Sequence, residues 1–247
     1  MARTQRRPGP GPDDSRARRA TAALPLVSPS LLIAGVGPGL GTAVAARFAE
    51  GGWDLGLIAR DQDSLDTAEG ELGGHDVTVR GALADVTDAP ALDEAFDRLA
   101  SELGTPLVMI YNASVYQPEG VLELSPEGLH LAFQVHVEGA FNAARSAVRR
   151  MRPSRHGVLV FTINCLALHP EAVSAALSIG KGAQHNLALS LESELVETGI
   201  RVAVVTITAP IRPGTAFDPR RIAGLYWTVA NQPPERFERD HTFAGAR

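Results

Sequence analysis

The stretch Leu31-Leu32-Ile33-Ala34-Gly35-Val36-Gly37-Pro38-Gly39-Leu40-Gly41-Thr42-Ala43-Val44-Ala45-Ala46 decides the fold. Its first part is apolar at every position, so residues 31–36 read as a strand covered on both faces, the pattern of a parallel sheet between helix layers. The closely spaced glycines then let the backbone turn tightly, and residues 40–51 have helical composition. A strand, a glycine turn and a helix in that order open a βαβ unit. Free N–H groups and the positive end of the helix dipole at such a turn suit a pyrophosphate. Gly35, Gly39, Leu40 and Gly41 are therefore the candidate phosphate-binding residues. The competing reading is a turn with a structural role only.

The same rhythm continues outward. Strands are expected near 54–59, 77–83, 107–111, 157–163 and 200–207, with helices near 62–73, 89–103, 125–151 and 171–198. This alternation predicts an α/β fold: a Rossmann-type, doubly wound parallel sheet with helices on both faces, in a single domain over residues 30–247. Beyond Pro210 the pattern loosens into a loop, a helix near 220–231 and a short last strand near 237–243. Residues 1–29 carry six arginines among Pro, Gly and Ala, which reads as a disordered extension.

Composition narrows the function classes. The 247 residues carry a formal net charge of -5 and are 45% hydrophobic, so no overall basic field invites nucleic acid. No apolar run approaches the ~20 residues that span a bilayer. Cys165 is the only cysteine, which excludes an internal disulfide and fits a reducing cytoplasm. No CxxC or HExxH spacing occurs, so no metal site is expected.

One further feature points to a dinucleotide, and another marks a site candidate. Arg60-Asp61 ends the second expected strand, about where a ribose-reading residue falls. Asp61 could bond the adenosine 2'-hydroxyl of NAD, or Arg60 could meet the 2'-phosphate of NADP. Because Asp61 is also the natural N-cap of the next helix, Arg60 and NADP are favoured, with NAD the other reading. Lys181 is the only lysine among 23 basic residues, and an ammonium does chemistry that a guanidinium does not.

Gly35, Gly39 and Gly41 in GxxxGxG spacing, Asp85-Val86, Tyr111-Asn112-Ala113-Ser114 and Lys181 together resemble the short-chain dehydrogenase/reductase family, in order, from about Leu31 to Pro210. The resemblance implies an NADP(H)-dependent oxidoreductase acting on a small molecule, and a homodimer or homotetramer formed through the fourth and fifth helices. It further implies that Asp85 and Val86 lie by the adenine, that Asn112 and Pro210 border the cofactor, and that Lys181 binds the nicotinamide ribose. The departures are as informative. The family's catalytic tyrosine falls on Leu177, its serine on Asn164, and its helix asparagine on His136. Leucine cannot transfer a proton, a role typically worth 10²–10⁴ in rate.

His136, with an intrinsic pKa suited to the task, is the best replacement proton source by residue type, and Asn164 can hydrogen-bond a carbonyl. Ser174, Leu177, Ser178 and Lys181 share one helix face. Tyr116, His169 and Glu171 fall on the ligand-binding edge of the sheet, and a relatively open pocket lined by Tyr116, Ile211, Tyr226 and Trp227 is expected. Three functions stay open: an oxidoreductase with a rearranged proton donor, a non-redox isomerase, cyclase or dehydratase, and a catalytically silent cofactor-binding protein.

Overall fold

The computed structural model describes residues 28–245. Strands β1 (Ser30–Ala34), β2 (Asp54–Ala59), β3 (Val79–Leu83), β4 (Val108–Tyr111), β5 (Gly157–Asn164), β6 (Ile200–Ile207) and β7 (Asp240–Phe243) form one sheet in the order β3-β2-β1-β4-β5-β6-β7. Every neighbouring pair is parallel, with Leu31 facing Leu55 on one side and Val108 on the other. The expected doubly wound sheet is present. Of the expected Arg-rich extension, residues 1–27 lie outside the described residues.

The helices are α1 (Leu40–Glu50), α2 (Gln62–Leu72), α3 (Ala89–Leu103), α4 (Pro126–Phe133), α5 (Gly139–Met151), α6 (Ala175–Leu195) and α7 (Pro219–Ala230). Side-chain caps start several of them: Asp61 accepts from Ser64 N, Asp88 from Ala91 N, Ser125 from Gly128 N and Asp218 from Arg220 N. Strand alternation sorts the core into two layers. Leu31, Ile33, Leu55 and Leu57 face α1, α2 and α7, whereas Leu32, Ala34, Met109 and Phe161 face α3, α5 and α6.

Two details depart from the expected pattern. The helix expected over 125–151 is interrupted by a π-turn at Gln134–Glu138 that joins α4 to α5, and His136 lies inside it. In addition, α7 packs beside α1, so the β6–α7–β7 crossover has the opposite hand to the others. Nearly all such crossovers share one hand. Tyr226 and Trp227 accordingly pack in the layer of α1 and do not form the expected pocket wall. Tyr226 is fully buried and hydrogen-bonds Thr162 Oγ1 at 2.7 Å, and Trp227 stacks against Phe48 and Trp53 with Arg47 over its ring. Among the described residues no helix is long and apolar enough to cross a membrane.

Candidate functional site

The strand order reverses between β1 and β4, and doubly wound sheets bind ligands at the carboxyl edge beside such a point. A cavity of about 400 Å³ lies there, lined by Gly35, Gly37, Leu40, Gly41, Arg60, Asp85, Val86 and Asn112 among others. Of the expected cofactor residues, Gly35, Leu40, Gly41, Arg60, Asp85, Val86 and Asn112 line this cleft and Gly39 sits in its turn at the start of α1, while Lys181 is not part of the wall and Pro210 is exposed beyond the end of β6 and outside it.

The glycine turn is built by sterics. Gly35 has φ +90°, and a Cβ there would lie 2.5 Å from Ala113 Cα, so only glycine lets β1 pass so close to the β4 loop. Asn112 Nδ2 donates to the Gly35 carbonyl at 3.0 Å, and the N–H groups of Gly35 and Val36 both donate to the Ile58 carbonyl at 3.0 Å, fixing the turn to its two neighbouring strands. Gly39 has φ +115° and supplies no side-chain cap to α1. A Cβ on Gly37 or Gly39 would meet nothing within 4 Å, so the turn faces open space. Backbone donors at an uncapped helix start, with room in front of them, fit the diphosphate of a dinucleotide.

At the far end of the cleft Asp61 is committed as the cap of α2. The bond from Ser64 holds its carboxyl below the ordinary range. Arg60 has an 80% exposed side chain whose nearest acidic partner is Asp61 at 3.9 Å, leaving its guanidinium available to a ligand. Asp85 accepts from Thr87 N at 2.9 Å and from Thr87 Oγ1 at 2.8 Å, which shapes the wall beside Val86.

The other half of the expected site is differently arranged. His136 is fully buried against Gly180, where a Cβ would lie 2.5 Å from His136 Cδ2. Its Nε2 lies 3.1 Å from the Val115 carbonyl; a carbonyl only accepts, so Nε2 carries the ring proton. Nδ1 has no partner. Burial, followed by the charge of Lys181, pushes the His136 pKa down to about 3. In this arrangement the single N–H of the neutral ring is engaged by the Val115 carbonyl.

Lys181, 3% exposed, donates to the Thr162 carbonyl at 2.9 Å and to Gln184 Oε1 at 2.9 Å, and it does not line the cavity. Burial pushes its pKa down to about 7. Leu177, on the same face of α6, is buried and carries no ionisable group. Asn164 ends β5 with Oδ1 buried and, among the described residues, without a hydrogen-bond partner. Ser178 donates to the Ser174 carbonyl at 2.8 Å, a local helix bond rather than a substrate contact. Tyr116, 60% exposed, His169 and Glu171 lie at the surface. Cys165 is half-buried, with Sγ 3.4 Å from the Thr208 carbonyl. No cluster among the described residues could hold a metal ion.

Sequence reasoning missed Gln184 and the π-turn. The signal for the first was present: a polar residue three positions after Lys181 on a buried helix face.

A family model described as short chain dehydrogenase matches residues 30–213. The chain is 30% identical over 212 residues to 1-deoxy-11-beta-hydroxypentalenate dehydrogenase of Streptomyces exfoliatus, covering 79% of this chain and 77% of that protein. It is 29% identical over 223 residues to cis-4-hydroxycyclohexanecarboxylate dehydrogenase of Sinomonas cyclohexanicum, covering 87% and 86%. Among solved structures, a metagenomic short-chain oxidoreductase in complex with NADP superposes with a TM-score of 0.80 at 20% identity, covering 87% of this chain and 97% of that one. An alcohol dehydrogenase from Thermococcus sibiricus complexed with 5-hydroxy-NADP gives 0.80 at 21% identity, covering 87% and 95%. At those identities the structural likeness speaks for the fold.

Proposed function

The chain belongs to the short chain dehydrogenase family, and from that premise we propose that it is an NADP(H)-binding oxidoreductase whose proton step does not follow the family's tyrosine route. When bound, the dinucleotide supplies or accepts the hydride. Gly39, Leu40 and Gly41 would hold its diphosphate with backbone N–H groups, Gly35, whose own N–H is spent on the Ile58 carbonyl, shapes the turn, Asp85 and Val86 would border the adenine, and Asn112 braces the turn. The observation that carries the NADP preference is the division of labour between Arg60 and Asp61. The carboxylate is occupied as a helix cap and the guanidinium is free to meet a 2'-phosphate. The NADP in the complex of the metagenomic relative is in keeping with this reading.

At the reacting end, Asn164 orients a small-molecule substrate through its amide. Leu177 supplies no proton, the neutral His136 ring holds its own proton on the Val115 carbonyl, and Lys181 stays against β5. A second reading, a cofactor-binding protein without turnover, rests on that same set of residues. Association through α5 and α6 is also part of the proposal. It is supported by an open groove of about 740 Å³ whose apolar lining includes Phe141, Val148, Leu191 and Leu195, with Phe141 42% exposed.

One experiment tests the cofactor assignment. Fluorescence titration should give tighter binding of NADPH than of NADH, and Arg60→Ala should weaken NADPH by about 10- to 100-fold, the worth of a charge-assisted phosphate contact, while leaving NADH nearly unchanged. Equal losses for both cofactors would overturn it. Consumption of NADPH across a panel of ketones supports the oxidoreductase; NADPH binding with no consumption supports the second reading.

A further inference from the structure

Helix α6 carries a second polar side chain as deeply buried as Lys181. Gln184 is 0% exposed. Its Oε1 accepts from Lys181 Nζ at 2.9 Å, its Nε2 donates to the Thr162 carbonyl at 3.5 Å, and that carbonyl also accepts from Lys181 Nζ at 2.9 Å. The three groups close a triangle between α6 and β5. A buried amide is unfavourable unless both its ends are bonded, and here both are.

The surroundings of the amine show what the triangle does. Among the described residues Nζ pairs with no carboxylate, and its two partners are both neutral dipoles. The ionisable group nearby on a facing element is His136, packed against Gly180 and neutral. A lysine in a dry site with so few acceptors gains by extending toward water, and its four methylenes allow it to do so. The amide at position 184 opposes that movement. With an apolar side chain there, Nζ would keep one acceptor and face the full desolvation of its charge.

We propose that Gln184 is a positioning residue that anchors the Lys181 side chain against strand β5 and keeps its amine out of the dinucleotide cleft. The anchor stands on the contacts within α6 and β5. Its consequence for a bound cofactor rests on the functional reading above.

Because Lys181 is the only lysine, full-length protein grown with lysine labelled with ¹³C at Cε gives one side-chain signal, and its pH titration reports this amine alone. In Gln184→Met the midpoint should rise by about 2 pH units or more as the amine leaves the core for water. The amine should also become reactive toward an acylating reagent that leaves the wild-type side chain untouched. Gln184→Glu retains the acceptor and should stay protected from the reagent, which separates anchoring from general loosening of the helix. A midpoint that is unchanged or lower in folded Gln184→Met would show that the Thr162 carbonyl anchors the amine alone. Equal acylation of the Glu and Met variants would overturn the proposal as well. NADPH binding by the wild-type protein is measured separately, so the cofactor reading can fail while the lysine titration still decides the anchor.

Discussion

Replacing His136 with Asn should make the protein less sensitive to mild acid. The folded state holds the ring deprotonated down to about pH 3, whereas the unfolded chain takes up a proton near 6.5. Below 6.5 the unfolded state therefore binds more protons, and stability falls with pH until the folded pKa is reached. The structural cause is specific. Nε2 already donates to the Val115 carbonyl, and a proton arriving at Nδ1 finds no acceptor in a site closed by Gly180 and near the Lys181 ammonium. The full gap corresponds to ~5 kcal/mol, of which ~2–3 kcal/mol is lost by pH 4.5. The assay is urea unfolding of cofactor-free protein at pH 7.5, 6.0 and 4.5. The asparagine variant has no such proton to take up, so the difference between the two curves should narrow by that amount on acidification, whatever the variant costs at neutral pH. Parallel curves would refute the reasoning, because they would mean that the folded protein protonates His136 as readily as the unfolded chain does.

Lys181 should act in the opposite window. Its amine is held near 7 in the fold against an ordinary 10.5, so wild-type stability should rise between pH 7 and 10.5 by up to ~5 kcal/mol, and Lys181→Met should flatten that rise in urea titrations. Gly35→Ala should lower the unfolding free energy by about 2–4 kcal/mol and abolish NADPH binding, since the new Cβ would meet Ala113 at a φ of +90°; circular dichroism melts and fluorescence titration check both. The wild type should associate in light scattering, and Phe141→Asp, which puts a charge into the groove beside α5, should leave a monomer.

The sheet was legible because its strands are apolar on both faces, and the glycine turn because closely spaced glycines between an apolar run and a helical run mark a tight strand-to-helix turn. Asp61 could be assigned its cap from spacing alone, and the Ser64 N–H confirms it at 2.8 Å. What stayed hidden depends on contacts between distant segments. Nothing in Phe133-Gln134-Val135-His136 breaks a helix, so the π-turn has no local signature. It accompanies an imidazole seated over Gly180, 44 positions away, and a Tyr111 hydroxyl donating to the Val135 carbonyl. Tyr226 and Trp227 were read toward the cleft because the hand of a crossover is not written in the helix it contains; packing against Phe48 and Trp53 set it. Lys181 shows the limit most clearly. Helical spacing fixes the face on which a side chain leaves the backbone, but a lysine reaches far enough to choose among acceptors. Here the choice falls to a glutamine one turn along and to the Thr162 carbonyl that it shares.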